Sequence, residues 1–241
     1  MKFLNNKIIN FDAENHKYTL GKKELISAST LVKKYAPEFD PDGTILARCA
    51  EKRGISVEEL RKEWDDNRDD AGDYGTRFHA EAEHWIDTKK VRKSEFSDIV
   101  KQLKKVKFRG ELRSETVIYS EELGIAGTVD CLDIYGDEID IYDYKTNKKL
   151  KKSAFFSRET GYSKMLYPVS HLMDCNFIHY SLQQEIYGLI LEQYGYWINE
   201  KILLYVNPKT RVIEHHPIQP LRQEAKDIIA HYTGNFERND V

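Results

Sequence analysis

Cysteine is scarce in this chain of 241 residues: Cys49, Cys131 and Cys175 are the only three, and no two of them form a CxxC pair. That spacing excludes a disulfide scaffold, a zinc knuckle and an iron–sulfur cluster, and it suits a reducing compartment. Long apolar runs are also missing, since none reaches the roughly 20 residues that a bilayer crossing needs. The opening MKFLNNKIINFDAENHK has no apolar signal core and no small-residue cleavage motif, so a cytoplasmic protein with no membrane partner is expected. There is no internal repeat, no low-complexity tract and no linker-like stretch. An excess of charge is absent as well: 37 Lys and Arg stand against 40 Asp and Glu.

What the chain does have is an uneven placement of those charges. Residues 89–113 carry ten Lys and Arg against three acids, and residues 145–164 carry Lys145, Lys148, Lys149, Lys151, Lys152, Arg158 and Lys164 against Glu159 alone. Acids gather instead in 58–83. A basic surface beside an acidic cleft suits a protein that holds a polyanion while binding a metal ion. The ordinary alternative is a solvated lysine face.

Periodicity gives the elements in outline. Residues 7–26 read as a hairpin with a further turn at Gly21. Ser27 or Ser29 caps a short helix that ends before Pro37. A helix over 44–53 stops at Gly54, and Ser56 with Glu59 forms a capping box for a helix through Trp64. DDNRDDAGDYG then reads as a polar break. From Thr76 to Thr88, Phe78, Ala82, Trp85 and Ile86 fall at helical spacing, with His79 and Glu83 stacked four apart on one flank. A second amphipathic helix spans Phe96 to Val106. Strands are expected at 115–120, 124–134 and 138–146, irregular chain at 147–176, and a helix from His179 to Tyr194. Strands at Ile202–Val206 and Arg211–Ile218 and a helix at Leu221–Tyr232 complete the chain. The order implies an α/β or α+β fold with a mixed central sheet flanked by helices. The expected division is an N-terminal hairpin and helical extension over 1–70, packed on a core over 71–241.

The chemistry concentrates in GIAGTVDCLDIYGDEIDIYDYKT, residues 124–146. Side chains two apart on a strand share a face, so Asp143 and Lys145 point with Ile139 and Ile141, away from Tyr142 and Tyr144. A hairpin centred on Gly136-Asp137 brings Asp130 alongside them. An ammonium at a half-buried position needs anionic partners, which the two aspartates supply. Singly these residues have ordinary explanations: an Asp near a strand end is usually a turn or cap residue.

Together, GTRFHAEAE, GTVD, DYKT and YSLQQEIYGLILE resemble, in that order, the motifs of the RecB-like exonuclease branch of the PD-(D/E)XK nuclease superfamily, which includes phage-encoded relatives. The resemblance covers roughly residues 72–206. It implies a restriction-endonuclease-like core in which His79, Asp130 and Asp143 ligate a metal, with the carbonyl of Tyr144 as a further ligand. Lys145 is implied to orient or activate the attacking water. Gln183 and Tyr187 fit the QxxxY motif that packs beside the site and contacts DNA, with Gln184 in place of Gln183 in another helix register. Glu83 fits an acid that recurs four residues after the histidine. Asp stands where the signature more often has Glu, the cysteines of the iron–sulfur members are absent, and so is a helicase domain.

The expected activity is a metal-dependent DNA exonuclease of recombination, repair or replication, working on single-stranded or duplex ends, with any helicase or recombinase a separate protein. A structure-specific or restriction-like endonuclease and a catalytically silent nucleic-acid-binding module are the alternatives. Carboxylates suit Mg²⁺, and the imidazole makes Mn²⁺ at least as suitable. Lys148 and Lys149 are expected on the DNA side. Phe155, Phe156, Tyr162 and Tyr167, with Arg158 and Lys164, either stack on unpaired bases or belong to the core.

Overall fold

A computed structural model describes residues 9–12, 17–38, 44–158 and 160–235. Its ten strands and six helices run β1 (Ile9–Asp12), β2 (Lys17–Leu20), β3 (Lys23–Ser27), α1 (Ala28–Lys33), α2 (Thr44–Arg53), α3 (Val57–Thr88), α4 (Ser97–Leu103), β4 (Glu111–Ser120), β5 (Ile125–Tyr135), β6 (Glu138–Lys145), β7 (Phe156–Ser157), β8 (Gly161–Tyr162), α5 (Asn176–Gln193), β9 (Trp197–Val206), β10 (Ile213–Pro217) and α6 (Arg222–Thr233). Eight strands form one mixed sheet in the order β1-β2-β3-β5-β6-β9-β10, with β4 also paired to β5, and helices cover both faces. The mixed central sheet flanked by helices is thus present.

The two faces follow from strand alternation. Ile139 and Ile141 of β6 pack with α1, α5 and α6 on one face, and Tyr142 and Tyr144 pack with Phe78 of α3, Ile99 of α4 and Phe96 at the start of α4 on the other. The β5–β6 hairpin turns on Gly136-Asp137, with Tyr135 opposite Glu138 and Gly136 at φ 64°. A positive φ suits glycine because no Cβ meets the backbone there.

Several boundaries differ from expectation, each for a physical reason. DDNRDDAGDYG is not a break: α3 is a single helix of 32 residues that crosses position 70, where the boundary between extension and core was expected. Its exposed stretch contains no proline. Asp65 with Arg68 and Lys62 with Asp66 pair along its surface, each at 2.9 Å, so it holds together without an apolar stripe. β4 starts at Glu111 and β9 at Trp197, both earlier than their apolar patterns suggest. Among the described residues β4 pairs only with β5, so its outer edge needs no apolar alternation. In β9 the register slips opposite Ile139–Ile141, and the buried carboxylate of Asp140 accepts bonds there from Asn199 Nδ2 at 2.8 Å and the Glu200 N–H at 3.0 Å. α5 begins at Asn176, ahead of His179. The irregular segment after β6 holds the small β7–β8 hairpin.

The N-terminal strands extend the sheet, because β3 pairs parallel with β5 through Ile26–Ile125 and Ser27–Ala126. The part of the 7–26 hairpin lying at 7–8 and 13–16 falls outside the described residues.

Candidate metal centre

The site lies where the sheet forks. β4 occupies one edge of β5 along nearly its whole length. On the other edge β3 pairs only with 125–126 and β6 only with 131–135, so residues 127–130 have no strand beside them. A strand edge without a partner must satisfy its polar groups otherwise. Here Asp130 fills the gap: its Oδ2 accepts the Tyr144 backbone N–H at 2.6 Å. The register Cys131–Tyr142 makes Asp130 and Asp143 the next facing positions, as the hairpin arithmetic requires. The N–H and C=O of one strand residue leave on the same edge, so the Tyr144 carbonyl also faces the fork.

Asp143 and Lys145 stand on the α5 side of β6. Lys145 Nζ is 2.5 Å from Asp143 Oδ2 and 4.7 Å from the centre of the Tyr180 ring. The ammonium is thus the charged partner of this buried oxygen. Burial pushes the Asp143 carboxyl up to about 6, with Lys145 pulling down and Asp130 pushing up. For Lys145, burial favours the neutral amine, but the Asp143 and Asp130 carboxylates outweigh it and hold the ammonium well above its usual range.

His79 comes from α3, on the other face. Its Nδ1 lies 3.7 Å from Asp130 Oδ1 and 3.5 Å from Glu115 Oε1, and the ligand atoms of His79, Glu115 and Asp130 all fall within 4.8 Å of one another. Burial pulls the imidazole down, yet the Asp130 and Glu115 carboxylates push it up to about 9. Glu115 was not anticipated. It sits opposite Asp130 between the pairs Ser114–Cys131 and Thr116–Val129, with φ 41°, a left-handed conformation rare for a side chain of its size. Two carboxylates facing each other across neighbouring strands repel. Counting back from the β4–β5 turn would have revealed the pairing.

The structure therefore joins His79 and Asp130 with Glu115. It sets Asp143 beside them as the partner of Lys145, outside the 4.8 Å group. A cavity of about 220 Å³ at the fork is lined by Asp130, Asp143, Lys145, Glu115, Gln183 and Tyr187, and by Phe11, Tyr18, Ser27 and Ser29 from the N-terminal elements. Gln183 Nε2 donates to Tyr187 Oη at 2.7 Å, and a Cβ on Gly127 would stand 2.4 Å from the Tyr187 ring. That contact explains the glycine in GTVD. Gln184 points elsewhere, donating to the Ile202 carbonyl at 3.2 Å.

Glu83 lines a separate open groove with His79, Glu115, Gly72 and Thr76, and its carboxyl is pushed up by burial, Glu115 and Asp87. Lys148 donates to Asn67 Oδ1 of α3 at 2.7 Å, so it braces the long helix. Lys149 is exposed.

The donor set suits a hard divalent cation: two or three carboxylate oxygens, an imidazole and a carbonyl edge. Cations would relieve the repulsion between Glu115 and Asp130. Nothing in the arrangement selects Mg²⁺ over Mn²⁺.

No protein-family model matches the chain, and no curated protein does. Among solved structures, "Crystal structure of SSO0001" is similar over 90% of this chain and 77% of that one, with 15% identity and a TM-score of 0.41. No helix among the described residues is long and apolar enough to cross a membrane.

Proposed function

We propose that this chain is a divalent-metal-dependent DNA nuclease of the RecB-like PD-(D/E)XK type, with a restriction-endonuclease-like core, acting as a cytoplasmic exonuclease in recombination, repair or replication. One observation carries the reading: at a single fork in the sheet, Asp130, Glu115 and the Asp143–Lys145 pair lie together, and His79 reaches Asp130 and Glu115 from the helix on the opposite face.

His79, Glu115 and Asp130 would hold the cation, with Asp143 and the Tyr144 carbonyl facing the same gap. Such a cation, when bound, neutralises phosphodiester charge and lowers the pKa of a bound water. The protein supplies the rest. Lys145 remains charged at neutral pH and lies where negative charge develops on the phosphoryl oxygens, so it stabilises that charge without reorganising. Asp143 fixes the ammonium by its charge. The Tyr180 ring adds a cation–π contact to the same ammonium. Gln183 and Tyr187 form the polar wall of the cavity on α5 and orient what enters it.

The test is linear and covalently closed circular DNA incubated with Mg²⁺ or Mn²⁺, for wild type, Asp143→Ala and Lys145→Ala. Expected is end-dependent digestion of linear DNA that needs metal, leaves circles intact and falls at least about a thousandfold in either variant. Nicked circles would replace the exonuclease reading with an endonuclease. Salt-sensitive binding without cleavage under any metal would leave a binding module, and digestion that survives both substitutions would refute the site.

A further inference from the structure

Of the eleven large apolar side chains most exposed among the described residues, six fall within 155–173. Phe155 is 78% exposed, Phe156 56%, Tyr167 50% and Tyr162 48%. Their exposure does not come from a loose backbone. Ala154, Met165, Val169 and Leu172 of the same segment are buried. The Lys151 N–H donates to Asn176 Oδ1 at 2.8 Å, the Ser163 N–H to the Phe155 carbonyl at 2.9 Å, and the Asp174 N–H to the Ser163 carbonyl at 3.0 Å. The segment thus presents its rings outward from a fixed frame, with Phe156 and Tyr162 edge to face at 5.0 Å.

The sequence charge of the segment is predominantly basic. Lys149, Lys151, Lys152, Arg158 and Lys164 are all exposed, and Glu159 is the one acid in residues 145–164. A protein partner could cover the aromatics, but the cationic border favours a polyanion. Duplex DNA keeps its base faces stacked within the helix and offers exposed rings nothing. An unpaired strand offers both π-faces and phosphates, and base–aromatic stacking tolerates any sequence. Phe155 follows Lys145 by ten residues of chain, which reach no further than about 35 Å.

We propose that residues 151–158 and 160–167 form a stacking platform for the bases of an unpaired DNA strand, the flanking lysines and Arg158 neutralising its phosphates, so that the substrate engages the fork through single-stranded DNA. The identity of the polyanion rests on the nuclease reading above; the stacking itself does not.

Fluorescence anisotropy in EDTA, which prevents cleavage, tests it with three labelled probes. These are a 20-nucleotide oligothymidine, the same strand with abasic sites throughout its centre, and a blunt duplex. Each of Phe155→Ala, Phe156→Ala and Tyr162→Ala should weaken oligothymidine binding by about 5- to 50-fold, with unchanged circular dichroism and duplex binding within twofold. Phe155→Trp should restore affinity. Wild type should bind the abasic strand about as weakly as the triple variant binds the intact one. Equal wild-type affinity for intact and abasic strands, or a triple variant that binds oligothymidine like wild type, would overturn the platform. Ring-dependent binding in a protein that cleaves nothing would sink the nuclease chemistry and leave this inference standing.

Discussion

The Asp130 and Glu115 carboxylates hold His79 at about 9 against an ordinary 6.5, a difference worth about 3 kcal/mol. Because the folded value is the higher one, that contribution to stability is fully present below about pH 6.5 and is lost as pH rises through about 9. An imidazole ligates only when neutral, so metal must displace the proton. Between pH 6.5 and 8.5 the Mn²⁺ dissociation constant should therefore fall about tenfold per pH unit, roughly 100-fold in all. Asp143, at about 6, is mostly ionised throughout that range and adds little. Titration calorimetry under argon, in two buffers of different ionisation heat, reads both affinity and proton release. Close to one proton per ion should leave at pH 7.5, and His79→Gln should abolish both release and slope. A pH-independent affinity with no proton released would refute the assignment of His79 as a ligand.

Three further outcomes follow from particular contacts. Glu115→Gln should weaken Mn²⁺ binding at pH 7.5 by on the order of tenfold or more, read by the same calorimetry, since ligand charge sets affinity in such sites. Gly127→Ala should cost about 1–3 kcal/mol, because its Cβ would sit 2.4 Å from the buried Tyr187 ring; thermal melting should show a loss of about 2–4 °C per kcal/mol. Lys201 pairs with the buried Glu185 at 2.7 Å, so Lys201→Met should cost about 3–5 kcal/mol in denaturant unfolding, and adding Glu185→Leu should recover most of it.

Alternation and turn chemistry made the β5–β6 hairpin legible in the sequence. The facing of Asp143 and Lys145 with Ile139 and Ile141 needs only a period of two, and Gly136-Asp137 fixes the register that brings Asp130 opposite. The spacing of Phe78, Ala82 and Trp85 likewise placed His79 on a helix flank. The rest depends on contacts that no local pattern records. The stretch of α3 from Asp66 to Asp73 is exposed and has no apolar face, so its continuity comes from paired charges and the absence of proline, which periodicity cannot see. The fork exists because β3 and β6 share one edge of β5 at different heights, a pairing across about a hundred residues of chain. Glu115 faces Asp130 only through the β4–β5 register, which a helix-and-strand pattern does not by itself display.

The most direct measurement is anomalous diffraction at the manganese edge from crystals soaked with Mn²⁺ and a short single strand. A peak coordinated by His79, Glu115 and Asp130, with Asp143 and Lys145 against a phosphate, is the predicted result. Manganese bound elsewhere, or a strand that avoids the fork while the metal is in excess, would contradict the account.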